Sequence, residues 1–194
     1  MKQNCAEPDF WDVRYATGVT PWDSADIPAV FREFAKTRDM GSRVLVPGCG
    51  SAHEVKQLLD LGFQVEAIDF SAEAVARAKT TLGIHADCVQ QADFFLLPEC
   101  QDYDWIYERA FFCALPLASR GAYARKMAAL LRSGGVLAGF FFLGDNPKGP
   151  PFGATLEELQ QWFSPWFDLL DISLVEQTLP VFAGREHWLI WQRR

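Results

Sequence analysis

The stretch VLVPGCGSAHEV, residues 44–55, decides the fold. RVLVP (43–47) is a short apolar, β-branched run of the kind that forms a buried strand, and it leads directly into Gly48-Cys49-Gly50. Glycines placed after a strand allow positive φ and let a ligand lie against bare main chain. The turn then departs from the dinucleotide pattern, which puts a third glycine where helix and strand touch. Counting from Gly48, that position is the bulky His53, with Ala52 beside it.

Outward from this turn the chain alternates. Residues 52–61 carry Val55, Leu58, Leu59 and Leu61 on a helical stripe closed by Gly62, and FQVEAIDF (63–70) alternates as a second strand. Ser71 is a natural N-cap, with Glu73 in the first turn, for a helix through Leu82. IHADCVQQAD (84–93) is read as a third strand ending at Asp93, and YDWIYER (103–109) as a fourth. Residues 119–131 form a helix that stops before Ser133-Gly134-Gly135. VLAGFFFL (136–143) is apolar throughout, as a central strand should be, with Phe140, Phe141 and Phe142 in the core. A Gly/Pro-rich loop, GDNPKGPPFG (144–153), precedes a helix from Thr155 or Leu156 to about Phe163. Strands near 167–176 and 186–192 then flank a turn around Pro180 and Gly184. The pattern predicts a doubly wound, mostly parallel, seven-stranded α/β sheet with a terminal β-hairpin. A closing hairpin belongs to the methyltransferase variant of this Rossmann-like sheet rather than the dehydrogenase variant.

The 194 residues show no internal repeat or low-complexity linker, so one domain is expected, with its core starting near Ser42. A net charge of −7 without a basic patch argues against a nucleic-acid backbone as partner and favours a small-molecule substrate. The pair Arg193-Arg194 is read as a solvated tail. Cys5, Cys49, Cys88, Cys100 and Cys113 include no CxxC and read as reduced thiols of a cytoplasmic protein; Cys113 is expected to be a small buried residue. His53, His85 and His187 are not spaced to complete a zinc site, so no metal is expected. The segment MKQNCAEPDFWD has no apolar h-region, and no segment reaches membrane-spanning length. A cytoplasmic monomer is the expectation.

Ligands of such a sheet bind at the carboxyl ends of its strands. Asp69 ends the second strand nineteen residues after Gly50, where an acid suits ribose hydroxyls, whether of NAD or of S-adenosylmethionine. The alternative is a helix-start carboxylate near Ser71. Asp93 can accept from an adenine amine while Phe94 packs on the base, or Asp93 is simply a turn residue. S-adenosylmethionine has no pyrophosphate and does not need the third glycine, which favours it over NAD. His53 itself reads as a surface residue of the helix.

These residues resemble a known family. FWDVRYATGVTPWD (10–23), VPGCGSAHE (46–54), AIDFS (67–71), DFF (93–95), YDWIYERAFFCALP (103–116), GPPF (149–152) and FAGREHWLIW (182–191) together look like the thiopurine S-methyltransferase superfamily, which includes the similar plant halide/thiol methyltransferases. The resemblance implies a class I S-adenosylmethionine-dependent methyltransferase over residues 1–194, with an N-terminal helical cover (1–40) on a Rossmann-like core (41–194). By matching position, it implies that Trp11, Tyr15 and Trp22 lie around the cofactor, Gly48 and Gly50 on its methionine portion, and Asp69 on the ribose. Asp93 and Phe94 would meet the adenine, and Arg109 would lie near cofactor and acceptor, as the catalytic residue. Two departures stand out. Val46 occupies a position where many class I enzymes carry an acid, and Ala52 replaces a common third glycine.

Methyl transfer from a sulfonium needs an aligned nucleophile and exclusion of water, and good alignment is worth on the order of 7–11 kcal/mol. A soft anion such as a thiolate, thiopurine, halide or selenium or tellurium species needs no strong base, and no His/Asp or Ser/His arrangement is evident. Trp11 and Trp22 suit an aromatic lid whose ring faces attract the sulfonium, or they anchor an N-terminal helix. The guanidinium of Arg109 suits an electron-rich acceptor, or it pairs with Glu108. The 144–153 loop, with Phe152 as an apolar wall, is expected to cover the acceptor. The competing readings are an NAD(P)-dependent oxidoreductase with a degenerate fingerprint and a non-catalytic S-adenosylmethionine-binding protein.

Overall fold

The computed structural model describes residues 4–194. Its elements run α1 (Pro8–Thr17), α2 (Ala29–Lys36), β1 (Arg43–Pro47), α3 (His53–Asp60), β2 (Gln64–Asp69), α4 (Ala72–Leu82), β3 (Val89–Gln91), β4 (Tyr103–Arg109), α5 (Arg120–Leu130), β5 (Leu131–Phe142), α6 (Leu156–Phe163), β6 (Phe167–Leu174) and β7 (Glu186–Arg193). The seven strands form one sheet in the order β3-β2-β1-β4-β5-β7-β6. The pairs β1/β2, β2/β3 and β4/β5 are parallel, whereas β7 is antiparallel to both β5 and β6. The doubly wound sheet with a terminal hairpin is thus present. The chain divides into two compact units, Met1–Leu97 and Pro98–Arg194.

In the first unit, Val44, Leu45 and Val46 are buried, and β1 pairs with β2 from Arg43↔Gln64 to Pro47↔Ile68. Ser71 caps α4 as its sequence predicts: its Oγ accepts the Ala74 N–H at 3.1 Å, a contact worth about 1 kcal/mol. Helix α1 has Pro8 in its first turn and ends at Gly18 in the left-handed region. The third strand is a correction. Gly83 leaves α4 with φ 57, residues Gly83–Cys88 wind into a 3-10 turn, and only Val89–Gln91 are extended. Ile84, the residue that suggested a strand start, is 92% exposed and has no sheet to bury against.

In the second unit, β5 starts earlier than expected. Leu131 already pairs with Tyr103, and a register shift before Trp105↔Val136 takes up Arg132–Gly135 as a bulge, so the Ser-Gly-Gly run interrupts the strand instead of preceding it. Phe140, Phe141 and Phe142 are buried as expected. Gly139 is required by strand packing, because a Cβ there would lie 1.9 Å from the Glu108 carbonyl oxygen. Phe112, Tyr123, Phe141, Phe163 and Trp191 form an aromatic core, with Phe163 stacked on Trp191 at 5.0 Å and Phe112 edge-on to Tyr123 at 5.0 Å. Helix α6 opens with a capping box between Thr155 and Glu158. Strand β6, last in the order, carries a bulge between Leu169 and Asp171.

Candidate active site

The turn after β1 has the backbone its glycines imply. Gly48 (φ 63) and Gly50 (φ 52) are both left-handed. Ala52 (φ 60, ψ 31) is left-handed as well and stands at the N-cap of α3. The absent third glycine is therefore replaced by a residue held in a glycine-type conformation, at a cost of roughly 1–2 kcal/mol. Asp69, buried at the end of β2, binds this turn: Oδ2 accepts the Gly50 N–H and Oδ1 the Ser71 N–H, each at 3.0 Å. The carboxylate thus joins the glycine turn to the start of α4. Burial pushes the carboxyl up to about 6, against the pull of these backbone donors.

Helix α1 is tied to the same turn. The hydroxyl of Tyr15 would stand 2.7 Å from a Cβ placed on Gly50, and it accepts the Trp22 indole N–H at 3.2 Å. Trp22 meets Trp11 edge-on at 5.4 Å. Asp12 Oδ1 accepts the Ser71 hydroxyl at 2.6 Å and the Glu73 N–H at 3.2 Å, and Arg77 donates to the Tyr15 carbonyl. Burial, with the Asp69 carboxylate nearby, raises the Tyr15 phenol and keeps it protonated. Two α1 residues, Trp11 and Tyr15, are thereby brought together with Trp22, Gly50 and Asp69, and Gly48 lies in the same turn.

Asp93 and Phe94 lie at the next strand end. The Ala92 N–H donates to the Asp69 carbonyl at 3.0 Å, which aligns the two strand ends. Asp93 is exposed and accepts the Phe95 N–H at 2.8 Å, so it does serve as a turn residue, while Phe94 is buried edge-on to Phe95. Such an Asp retains a second oxygen for a ligand.

Ser51, Asp23 and His53 also converge. The Ser51 hydroxyl donates to Asp23 Oδ2, and His53 Nε2 lies 3.5 Å from Asp23 Oδ1. His53 is half-buried beside Asp23 rather than a free surface side chain. The carboxylate stands between the other two groups, so the imidazole is not placed to take the Ser51 proton and the cluster lacks the order of a nucleophilic triad.

In the second unit, Arg109 ends β4 with its guanidinium 5.2 Å from the centre of the Phe140 ring. Its neighbour Glu108 is fully buried. Oε2 accepts the Tyr123 hydroxyl at 2.6 Å, and Oε1 accepts the Phe111 and Phe112 N–H groups at 3.0 and 2.8 Å. Burial pushes this carboxyl up to about 7. Glu108 thus shapes the turn after β4. That turn holds the 144–153 loop in place, because the Cys113 carbonyl accepts the Phe152 N–H at 2.7 Å. Cys113 is buried, and burial raises its thiol, as expected of a packing residue. Arg120 clamps the loop from α5: its guanidinium donates to the Gly153 and Phe152 carbonyls at 2.7 and 2.9 Å and lies over the Phe112 and Trp162 rings.

Two left-handed glycines after β1, with a buried carboxylate at the end of the adjacent strand, fit a nucleoside donor that has no pyrophosphate. A model of the thiopurine S-methyltransferase family matches residues 6–194. The chain belongs to the thiopurine S-methyltransferase family. It is similar to a thiopurine S-methyltransferase of Pseudomonas putida (strain GB-1), 29% identical over 198 residues that cover 91% of this chain and 92% of that protein. It is also similar to thiocyanate methyltransferase 1 of Arabidopsis thaliana, 26% identical over 194 residues that cover 96% and 86%. Among solved structures it resembles Burkholderia thailandensis 1,6-didemethyltoxoflavin-N1-methyltransferase with bound 1,6-didemethyltoxoflavin and S-adenosylhomocysteine. There the TM-score is 0.73 at 18% identity, covering 96% of this chain and 86% of that one. The fold is that of a class I methyltransferase. This thiopurine methyltransferase relative is an S-adenosylmethionine-dependent methyltransferase of small nucleophiles, and neither the oxidoreductase nor the binding-protein reading gains support.

Sequence reasoning named the glycine turn and Asp69 but missed what fastens the family's N-terminal segment here. Asp12 sits beside Trp11 and one turn from Tyr15 on the helix that runs from Pro8 to Thr17, so the family likeness that singled out those two could have pointed to it. Asp23, Ser51 and Arg120 carried no local signal; their partners lie 28 to 33 residues away.

Proposed function

We propose that this methyltransferase acts on a small, soft sulfur nucleophile, a thiolate or its close relatives among thiopurines, thiocyanate, halides and selenium or tellurium anions. The observation that carries this reading is the sulfur acceptor for which two similar proteins are named, thiopurine S-methyltransferase and thiocyanate methyltransferase 1. When bound, S-adenosylmethionine supplies an electrophilic methyl group on a sulfonium. Asp69 receives the ribose hydroxyls through lone pairs its backbone donors leave free, while Asp93 and Phe94 take the adenine edge and face. Gly48 and Gly50 offer bare backbone to the methionine portion, and Trp11, Tyr15 and Trp22 exclude water and present ring faces to positive charge. In the second unit, Arg109 orients the acceptor anion as the catalytic residue and contacts the cofactor, while the 144–153 loop walls the acceptor side. A thiolate already carries the attacking electron pair, so no general base is required; the products are a thioether and S-adenosylhomocysteine.

Further parts of this proposal are a single domain over 1–194 with a 1–40 cover on a 41–194 core, and a cytoplasmic monomer that binds no nucleic acid. The net charge of −7 supports the last point. No helix among the described residues is long and apolar enough to cross a membrane. The bulge and the aspartates 168 and 171 on the edge strand β6 discourage pairing with a second copy. The test is incubation with methyl-labelled S-adenosylmethionine and a panel of thiols, a thiopurine, thiocyanate and iodide. Label is expected in at least one sulfur acceptor. Tight donor binding with no transfer to any member rejects the acceptor class.

A further inference from the structure

Residues 18–28, between α1 and α2, have no regular secondary structure, yet two of their side chains are committed to the turn region after β1. Trp22 donates to the hydroxyl of Tyr15, which rests against Gly50. Asp23 reaches further. One of its oxygens accepts from Ser51, the residue that follows Gly50, and the other lies 3.5 Å from Nε2 of His53, the first residue of α3. The Asp23 side chain is only 18% exposed and Ser51 is buried, so these contacts are partly shielded from water and stronger than surface ones. A single carboxylate thus joins an irregular segment to both the turn and the helix behind it.

We propose that Asp23 is a positioning residue: with Ser51 and His53 it fastens residues 18–28 across the Gly48–Ser51 turn and thereby sets the rate at which S-adenosylhomocysteine leaves. This rests on reading the turn as the methyl-donor site. A ligand lying against the backbone of Gly48 and Gly50 leaves only when the segment carrying Trp22 lifts, and lifting it separates Asp23 from Ser51 and His53. In many enzymes the opening of such a segment, not the chemistry, limits turnover.

The test compares wild type with Asp23→Ala, Asp23→Asn, Ser51→Ala and the Asp23→Ala/Ser51→Ala double variant. Amide hydrogen exchange is followed in the unliganded proteins, and S-adenosylhomocysteine release is timed by stopped-flow tryptophan fluorescence, with Trp22 as an intrinsic reporter. Asp23→Ala is expected to speed exchange across 18–28 while β1 and β2 keep their protection. Release should quicken about tenfold, as expected from losing one charge-assisted hydrogen bond. Asp23→Asn can still accept from Ser51 and should fall between wild type and Asp23→Ala. The double variant should release no faster than Asp23→Ala alone. Unchanged exchange over 18–28, unchanged release, or single effects that add would overturn the proposal. If wild type bound no S-adenosylhomocysteine, the donor-site reading would fall, and the exchange measurement would still uphold or reject the clasp.

Discussion

The hydroxyl of Tyr15 and the α-carbon of Gly50 are packed so closely that a methyl group on Gly50 would meet the phenol oxygen at 2.7 Å. Gly50 also has φ 52, which an alanine adopts at a cost of roughly 1–2 kcal/mol. Gly50→Ala should therefore lower thermal stability and weaken S-adenosylhomocysteine binding measured by calorimetry. Adding Tyr15→Phe removes the clashing oxygen and should restore part of both losses. A double variant as impaired as Gly50→Ala would show that strain alone, not the Tyr15 contact, explains the effect.

Glu108 makes unliganded stability depend on pH. Its ordinary value is 4.5 and burial lifts it to about 7, so the folded protein keeps a proton that the unfolded chain has released. Folding takes up that proton between those values, and stability falls as pH rises through the window. Asp69, lifted from 3.8 to about 6, acts in the same direction at slightly lower pH. Urea denaturation should thus show less stability at pH 8 than at pH 5. In Glu108→Gln, the amide oxygen can accept both backbone N–H groups and the amide nitrogen can donate to Tyr123. This variant should have a flatter pH dependence and exceed wild type at pH 8. An unaltered slope would contradict the assignment.

Asp69 and Arg109 should separate donor from acceptor. Asp69→Ala is expected to weaken S-adenosylhomocysteine binding about ten- to hundredfold, the range for hydrogen bonds to a charged group. Arg109→Ala should lower turnover with a thiol more than it lowers donor affinity. Unchanged affinity in the first variant rejects the ribose role, and the reverse pattern in the second rejects the acceptor role.

Arg120 is a buried cation whose fork spans two carbonyls of the 144–153 loop. A lysine cannot reproduce that fork or its stacking on Phe112 and Trp162. Arg120→Lys should cost about 1–3 kcal/mol of stability in denaturant titrations and raise the acceptor KM while donor affinity is retained. An acceptor KM equal to wild type would show that the loop does not shape the acceptor side.

Much of the fold was legible because it is locally encoded. The apolar run of β1, the Ser71 cap of α4, the Thr155–Glu158 box of α6 and the uniformly apolar centre of β5 each announce themselves within a few residues. The misread segment, 84–93, fails for a physical reason: a strand pattern counts only where a sheet covers it, and Ile84 points to solvent. Helix α1 was expected only through family likeness, because its apolar residues do not share one face. Phe10 and Tyr15 are buried while Val13, between them, is half exposed. At the site, glycines and acids at strand ends could be read from position. The roles of Asp23, Glu108 and Arg120 could not, because each depends on partners brought near only by folding.

The boundary at Leu97–Pro98 bears on how such chains diversify. Every residue assigned to the donor, from Trp11 to Phe94, precedes it apart from the cofactor contact given to Arg109; that arginine, Arg120 and the 144–153 loop all follow it. On the proposed assignments, mutational drift in the second half retunes what is methylated while inheritance of the first half preserves a common reagent. Chimeras spliced at this point should take their acceptor preference from the C-terminal parent.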